Sequence, residues 1–295
     1  MARLAVIGVG RIGGEVAYLA AVLGIADELV LCDTAADLLK AQVLDLRHTG
    51  LDLPVSTDPR LVRDADVCVF SAGLPRNPSV RTRADLISVN LPVVRDTTSL
   101  LAGFAGVLVT VTNPMDVNNF YLCDKLGIDR HRCVGFGGQL DCARFAVALE
   151  DRGILDTKDQ AAGGTWVLGE HGEHQVPVFS RLGRSTGTGE REEILAGLRG
   201  ASMEVIKGKG GTVFGPAWHI AGLIRRIAED RRETVACSAV LGGEYGLSGC
   251  SLGVPARVGR EGILAIEEWP LDDWERAKMQ EAGTFVAGLC EKAVG

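Results

Sequence analysis

Three groups of residues have types and spacings suited to chemistry. The first is Gly8, Gly10 and Gly13, spaced G-x-G-x-x-G directly after the apolar run 4–7. In that setting Gly8 permits a tight turn, Gly10 lets backbone approach a pyrophosphate, and Gly13 lets a helix pack closely on a strand. The helix expected next, over residues 15–23, would offer N–H groups and a partial positive charge to phosphates. Asp33 ends a second apolar run, 29–32, and lies 20 residues past Gly13. That is the spacing of a carboxylate that bonds a ribose 2′-hydroxyl. No Lys or Arg follows it before Lys40, so a 2′-phosphate meets no nearby cation and NAD is expected over NADP. The bland alternative is an ordinary glycine turn with an incidental Asp.

The second group is Asp141-Cys142-Ala143-Arg144 with Gly169-Glu170-His171-Gly172. A neutral imidazole suits proton transfer, because its unperturbed pKa lies near working pH. A guanidinium suits a carboxylate, which it grips through a planar two-pronged pair. Arg144 is three residues past Asp141, on the same side of a helix. Read alone, the two are equally well a helix-surface ion pair worth under ~1 kcal/mol. Glu170, His171, Glu173 and His174 include metal-ligand types, but the flanking glycines point to a loop and no third ligand is evident, so no metal is expected. His48, His131 and His219 lack such a setting and are expected at the surface or at caps. The third group is the loop 73–83, which carries Arg76, Arg81 and Arg83 and has the character of a segment that closes over substrate and brings a cation to it.

The elements that must position these groups alternate through the first half. Strand-like runs fall at 4–7, 29–32, 67–72, 107–111 and 133–136, and helix-like runs at 15–23, 37–48, 84–102 and 116–126. That alternation predicts an α/β fold, a Rossmann doubly wound parallel sheet covered on both faces. Beyond residue 138 the rhythm changes. Helices are expected at 139–151, 190–207, 213–230 and 272–292, a strand at 160–168, an exposed loop at 183–189 and antiparallel strands at 234–241 and 249–254. The reading is a nucleotide domain over 1–138 and a mixed α+β substrate domain over 139–295.

With 295 residues and 46% hydrophobic content the chain can bury a sizeable core. It has no apolar run of membrane-spanning length, and its entry directly into a strand is read as leaving no room for a signal peptide. A net charge of −7 argues against nucleic-acid binding. None of the eight cysteines forms a C-x-x-C pair, and most sit in apolar runs. They read as reduced core thiols of a cytoplasmic protein.

In order along the chain, residues 8–13, Asp33, Ala72-Gly73 with the Arg-rich loop, Val111-Thr112-Asn113-Pro114, Leu140-Asp141-x-x-Arg144, Gly169-Glu170-His171-Gly172 and Lys209-Gly210-Gly211-Thr212 resemble the NAD-dependent lactate/malate dehydrogenase family. The resemblance runs along essentially the whole chain and is nearest to the lactate-dehydrogenase-like malate dehydrogenases common in archaea. It implies oxidation of a 2-hydroxy acid: a hydroxyl proton is removed while hydride leaves the same carbon for nicotinamide. His171 would be the base, with Asp141 fixing its tautomer and stabilising the imidazolium. Arg144 would grip the C1 carboxylate, Arg83 polarise the carbonyl, and Asn113 bond the substrate oxygen. Thr212 resembles a pocket-wall residue, with helix N-capping as its alternative. The cofactor would lie against Gly8, Val9, Gly10, Arg11, Ile12, Gly13, Asp33, Asn90, Val111, Thr112 and Asn113.

Arg76 occupies the position that selects the substrate's far end. An arginine there resembles malate enzymes, whereas lactate enzymes generally carry glutamine. A second carboxylate pairs with it, and a methyl group would leave the charge without a partner. The loop is one residue longer than the family's pattern and has Ser79 in place of glycine, so Arg81 competes with Arg83 for the carbonyl. The small partner implied is a dicarboxylate, malate or oxaloacetate, and assembly into a homodimer or homotetramer is expected through helices 15–23 and 37–48. The rivals are a lactate-type dehydrogenase, an NAD-dependent glycosidase and a non-catalytic NAD-sensing module. The last would have no need of Asp141, Arg144 and His171 together.

Overall fold

The computed structural model describes residues 2–74, 83–155 and 164–295, the side chains of 83–85 excepted. The apolar runs of the first half are strands buried on both faces: β1 (Arg3–Ile7), β2 (Glu28–Cys32), β4 (Val67–Phe70), β5 (Val107–Thr110) and β6 (Cys133–Gly135). With the two-residue β3 (Val55–Ser56) they form a parallel sheet in the order β3-β2-β1-β4-β5-β6. This is the doubly wound order, in which ligands bind beyond the carboxyl ends of the strands. Helices α1 (Arg11–Val22), α2 (Ala36–His48), α3 (Arg83–Thr97) and α4 (Met115–Leu126) alternate with the strands.

The second half contributes α5 (Gly138–Glu150), β7 (Val167–Gly169), β8 (Gln175–Pro177), α6 (Thr188–Lys209), α7 (Phe214–Ala228), β9 (Glu233–Gly242), β10 (Ser248–Gly259), β11 (Gly262–Ile266) and α8 (Asp273–Val294). β9 pairs antiparallel with β6, setting Ser238 opposite Gly135. β10, β7 and β8 extend the same sheet, and β11 pairs with β10. Among the described residues, the parallel and antiparallel halves therefore form one eleven-stranded sheet. The main core runs through both halves, and a smaller cluster around Phe145, Phe179 and Leu198 lies under α6. No helix among the described residues is long and apolar enough to cross a membrane.

Three expectations shift. Helix α1 begins at Arg11 rather than 15, because glycine lowers helix propensity but Gly13 is kept by packing. A Cβ on Gly13 would collide with the Gly8 carbonyl, and Gly8 turns at φ +88° against Ala72. The helix expected over 84–102 ends at Thr97 and tightens into a 3₁₀ turn over Thr98–Leu101. There the hydroxyls of Thr97 and Thr98 donate to the Val93 and Val94 carbonyls, offering backbone groups a local alternative partner. The strand expected over 160–168 is seen from Val167, and 156–163 lie outside the described residues.

Gly13→Ala, which forces a methyl onto the Gly8 carbonyl, is expected to destabilise the protein by about 1–3 kcal/mol and to weaken NADH binding. Thermal melting and NADH fluorescence titration check both.

Candidate active site

Strands β1, β4, β5 and β6 end at one edge of the sheet, followed there by Gly8, Ser71-Ala72, Thr112-Asn113 and Gly137. Along that edge α1 opens on Gly10, whose place as N-cap carries no side-chain hydrogen bond. The space beside Gly10 is open to 4 Å. Asp33 binds the turn itself: its two oxygens accept from the N–H groups of Val9 (2.8 Å) and Ala35 (2.9 Å). Gln42 donates to the Val9 carbonyl, and the Val9 side chain is fully buried. Ile12 packs against the core. Arg11 is exposed and donates to the Gly210 carbonyl at 3.0 Å, which brings the segment before Thr212 to the glycine loop. Val213, not Thr212, is the N-cap of α7, so the capping alternative for Thr212 falls.

The second edge loop is braced from behind. Asn90 is buried, accepts from Leu74 N–H, and donates to the carbonyls of Leu74 and Asn113. It thus ties the entry to the Arg-rich loop to the turn after β5. The Thr112 hydroxyl donates to the Ala72 carbonyl (2.7 Å), and half-buried Val111 packs on the core. Asn113 Oδ1 accepts from Met115 N–H. Arg76 and Arg81 lie outside the described residues, and of Arg83 only the backbone, at the start of α3, is described.

The structure brings His171, Asp141 and Arg144 together. Asp141 and Arg144 project from α5 one turn apart, and His171 sits in the tight turn between β7 and β8. Asp141 Oδ2 lies 2.6 Å from His171 Nδ1, and its Oδ1 accepts from Arg144 Nη1 at 3.1 Å. As an acceptor, the carboxylate places the ring proton on Nδ1. The ion pair is buried, with the Asp141 side chain 3% exposed and Arg144 18%, so it is no surface pair. Burial works to raise the Asp141 carboxyl, but the His171 ring, Arg144 and Gln175 outweigh it and hold the group below its usual range. Gly137 makes room for the ring, because a Cβ there would collide with the imidazole.

Two buried carboxylates hold the turn that carries His171. Glu170 accepts from the N–H groups of Glu173 and His174 at 2.9 Å each. Asp116, on α4, accepts from His171 N–H at 2.8 Å. Neither Asp116 nor Gln175 was expected from the sequence as part of the site; an acid in an otherwise buried helix directly after Asn113-Pro114 is the signal that marks Asp116. His174 turns away, stacking on Phe285 and pairing with Glu281. Among the described residues no three His, Cys, Asp or Glu side chains form a metal-ligand group.

His219 corrects the expectation of a surface or capping residue. It is half-buried in a cavity of about 560 Å³ lined also by Trp166, Trp218, Arg225 and Arg226. Burial, with Arg226 and Arg144, holds its imidazole below the usual range. The cavity meets α5 through Cys142, Ala143 and Ala146, a different face from Asp141 and Arg144.

Comparison with known proteins agrees along the whole chain. Residues 2–135 match the family model for the lactate/malate dehydrogenase NAD binding domain, and residues 138–289 that for the lactate/malate dehydrogenase alpha/beta C-terminal domain. The chain is 39% identical to the malate dehydrogenase of Halobacterium salinarum, covering 96% of both chains. It is 33% identical to the L-lactate dehydrogenase of Geobacillus thermodenitrificans, over 99% of this chain and 97% of that one. The solved malate dehydrogenase of Archaeoglobus fulgidus, in complex with NADH, superposes with a TM-score of 0.87 at 31% identity, over 99% of each chain.

Asp141→Asn removes the anion from a buried pair and is expected to cost about 3 kcal/mol at pH 7, read by urea unfolding. Because the folded carboxyl sits below its usual range, this stabilisation is present at neutral pH and lost as pH falls below about 4. The gap between wild type and variant should therefore narrow at pH 3; a gap that stays constant rules out the ionic origin.

Proposed function

The chain belongs to the lactate/malate dehydrogenase family, and we propose that its reaction is the reversible NAD-dependent oxidation of (S)-malate to oxaloacetate. The observation that carries this reading is the His171–Asp141 pair with Arg144 on the same carboxylate. In the oxidative direction the substrate hydroxyl gives its proton to His171 at Nε2. Asp141, accepting from Nδ1, orients the ring and stabilises the imidazolium. In the reverse direction the same imidazolium returns the proton to the developing alkoxide. Arg144 binds the C1 carboxylate and Asn113 the substrate oxygen, while Thr212 walls the pocket. Arg83 polarises the carbonyl, and Arg76 pairs with the distal carboxylate.

The residues at the glycine turn fit a dinucleotide. Open space beside Gly10 and the uncapped N–H groups of α1 suit a pyrophosphate. Asp33 suits a ribose hydroxyl, Val111 and Thr112 line the nicotinamide side, and Val9, Ile12 and Asn90 support the wall. When bound, the nicotinamide exchanges hydride with C2 of the substrate. The division into a nucleotide domain over 1–138 and a substrate domain over 139–295 follows from this reading. So does assembly of the protein as a homo-oligomer. In its favour, α2 buries none of its residues and exposes Leu38 and Leu44, while α1 exposes Tyr18 and Val22.

The test is NADH oxidation with oxaloacetate and pyruvate side by side, in wild type and His171→Asn. Wild type is expected to prefer oxaloacetate strongly, and His171→Asn to lose about 10²–10⁴-fold in kcat while binding NADH unchanged. Comparable or greater activity on pyruvate would establish the lactate-type reading instead. Arg76→Gln is expected to lower the oxaloacetate-to-pyruvate ratio of kcat/KM at least about tenfold. An unchanged ratio would move the selecting role to Arg81.

A further inference from the structure

Asp116 is 2% exposed and meets the site through the backbone N–H of His171. Both of its oxygens accept. Oδ2 takes the His171 N–H at 2.8 Å, and Oδ1 takes the Ser238 hydroxyl at 2.6 Å. The Ser238 Oγ lies 2.8 Å from the Ser251 Oγ, which accepts from Asn119 Nδ2 at 2.9 Å. Since Ser238 gives its proton to Asp116, Ser251 must donate to Ser238. The chain thus donates in one direction, from Asn119 on α4 through β10 and β9 to Asp116 on α4, where the His171 N–H donates from the other side.

We propose that Asp116 is a positioning residue for His171: its ionised, buried carboxylate, fed by the Ser251–Ser238 hydroxyl chain, clamps the His171 backbone so that the ring meets Asp141. The inference rests on the acid/base role proposed above for His171. The clamp is strongest when Asp116 is ionised, because protonation removes the charge assistance from the bond to the His171 N–H and forces the other oxygen to donate, which reverses the hydroxyl chain. The groups facing Asp116 are Glu170 and His171 from the β7–β8 turn, Ser238 from β9, Cys250 and Ser251 from β10, and Cys290 from α8. Burial and the Glu170 charge push its carboxyl up to about 6, against the opposing pull of Ser238, the His171 N–H and the His171 ring. Asp116 therefore loses its charge near pH 6, while Asp141 keeps its own.

The experiment follows kcat for oxaloacetate reduction against pH. In this direction His171 gives up a proton, so acid favours its active form, and a fall in kcat below about pH 6 reports the loss of the Asp116 charge. Asp116→Asn is expected to lower kcat about 10- to 100-fold, to leave the KM for oxaloacetate and the NADH affinity within about threefold, and to remove the acid limb. Ser238→Ala keeps the carboxylate but removes one donor, and should move the limb up by about one pH unit. A limb unmoved in both variants, or a kcat for Asp116→Asn within twofold of wild type, overturns the proposal.

A readout that needs no turnover is the amide proton of residue 171 in His171→Asn, whose backbone keeps the bond. It should lie downfield, titrate near pH 6, and move upfield on adding Asp116→Asn. An amide indifferent to pH and to Asp116 overturns the clamp even if oxaloacetate is not the substrate. A titrating amide upholds it on the same terms.

Discussion

The 2.6 Å contact between Asp141 and His171 is the constraint on which the site depends. It joins a helix following the last parallel strand to a turn in the antiparallel half of the sheet, so it exists only if both halves are correctly placed. A carboxylate taken out of water is costly unless its lone pairs and charge are matched. Asp141 is matched by a ring N–H, a guanidinium and Gln175. Because those partners sit on α5 and on the β7–β8 hairpin, the cost of misplacing either element is an unpaired buried ion.

Three buried acids surround His171, and each is satisfied differently. Glu170 is met by two backbone N–H groups of its own turn, a local solution that shapes the loop. Asp141 is met by the Arg144 guanidinium and the His171 ring, which hold its carboxyl below the usual range. Asp116 is met by one hydroxyl and one amide, neutral donors only, and with Glu170 nearby its carboxyl rises to about 6. Burial thus pushes both acids up, yet these two acids that touch one residue end on opposite sides of the usual range. What differs is that the Arg144 guanidinium stands beside Asp141, whereas the negative Glu170 stands near Asp116. For stability the signs are opposite as well: Asp141 favours the fold at neutral pH, whereas the raised pKa of Asp116 makes its ionisation a cost there that acid relieves.

The cofactor side follows a different economy, that of close backbone approach. The Gly8–Gly13 contact brings α1 onto β1 at its carboxyl end, and Asp33 reaches back to the Val9 amide. Asn90 then links the segment leaving β4 with the turn leaving β5, and Arg11 links the glycine loop to Gly210, close in sequence to Thr212. Neighbouring loops along one sheet edge are thereby tied by side-chain-to-backbone bonds. A rigid edge of this kind is what a reaction needs when two ligands must meet at one carbon.

The strand runs, the glycine triplet with Asp33 and the order of the motifs could be read directly from the residues, because periodicity and glycine spacing are local properties. So could Asp141 and Arg144 sharing one side of a helix. Their burial could not, since an ion pair three residues apart looks the same in sequence whether it faces water or a histidine 30 residues on. The helix start at Arg11 was hidden by glycines that local propensity disfavours and packing demands. Asp116, Ser238 and Ser251 lie far apart in the chain, and nothing in their spacing announces a shared network. Only the pairing of β9 with β6 and β10, with α4 laid across them, brings their oxygens within hydrogen-bonding distance. Residue types and spacing alone identify the groups to which the proposed dinucleotide binding and proton transfer are assigned. The tertiary structure decided which of their charges are buried, and beside which partners, because desolvation and Coulomb interactions depend on distance in space rather than along the chain.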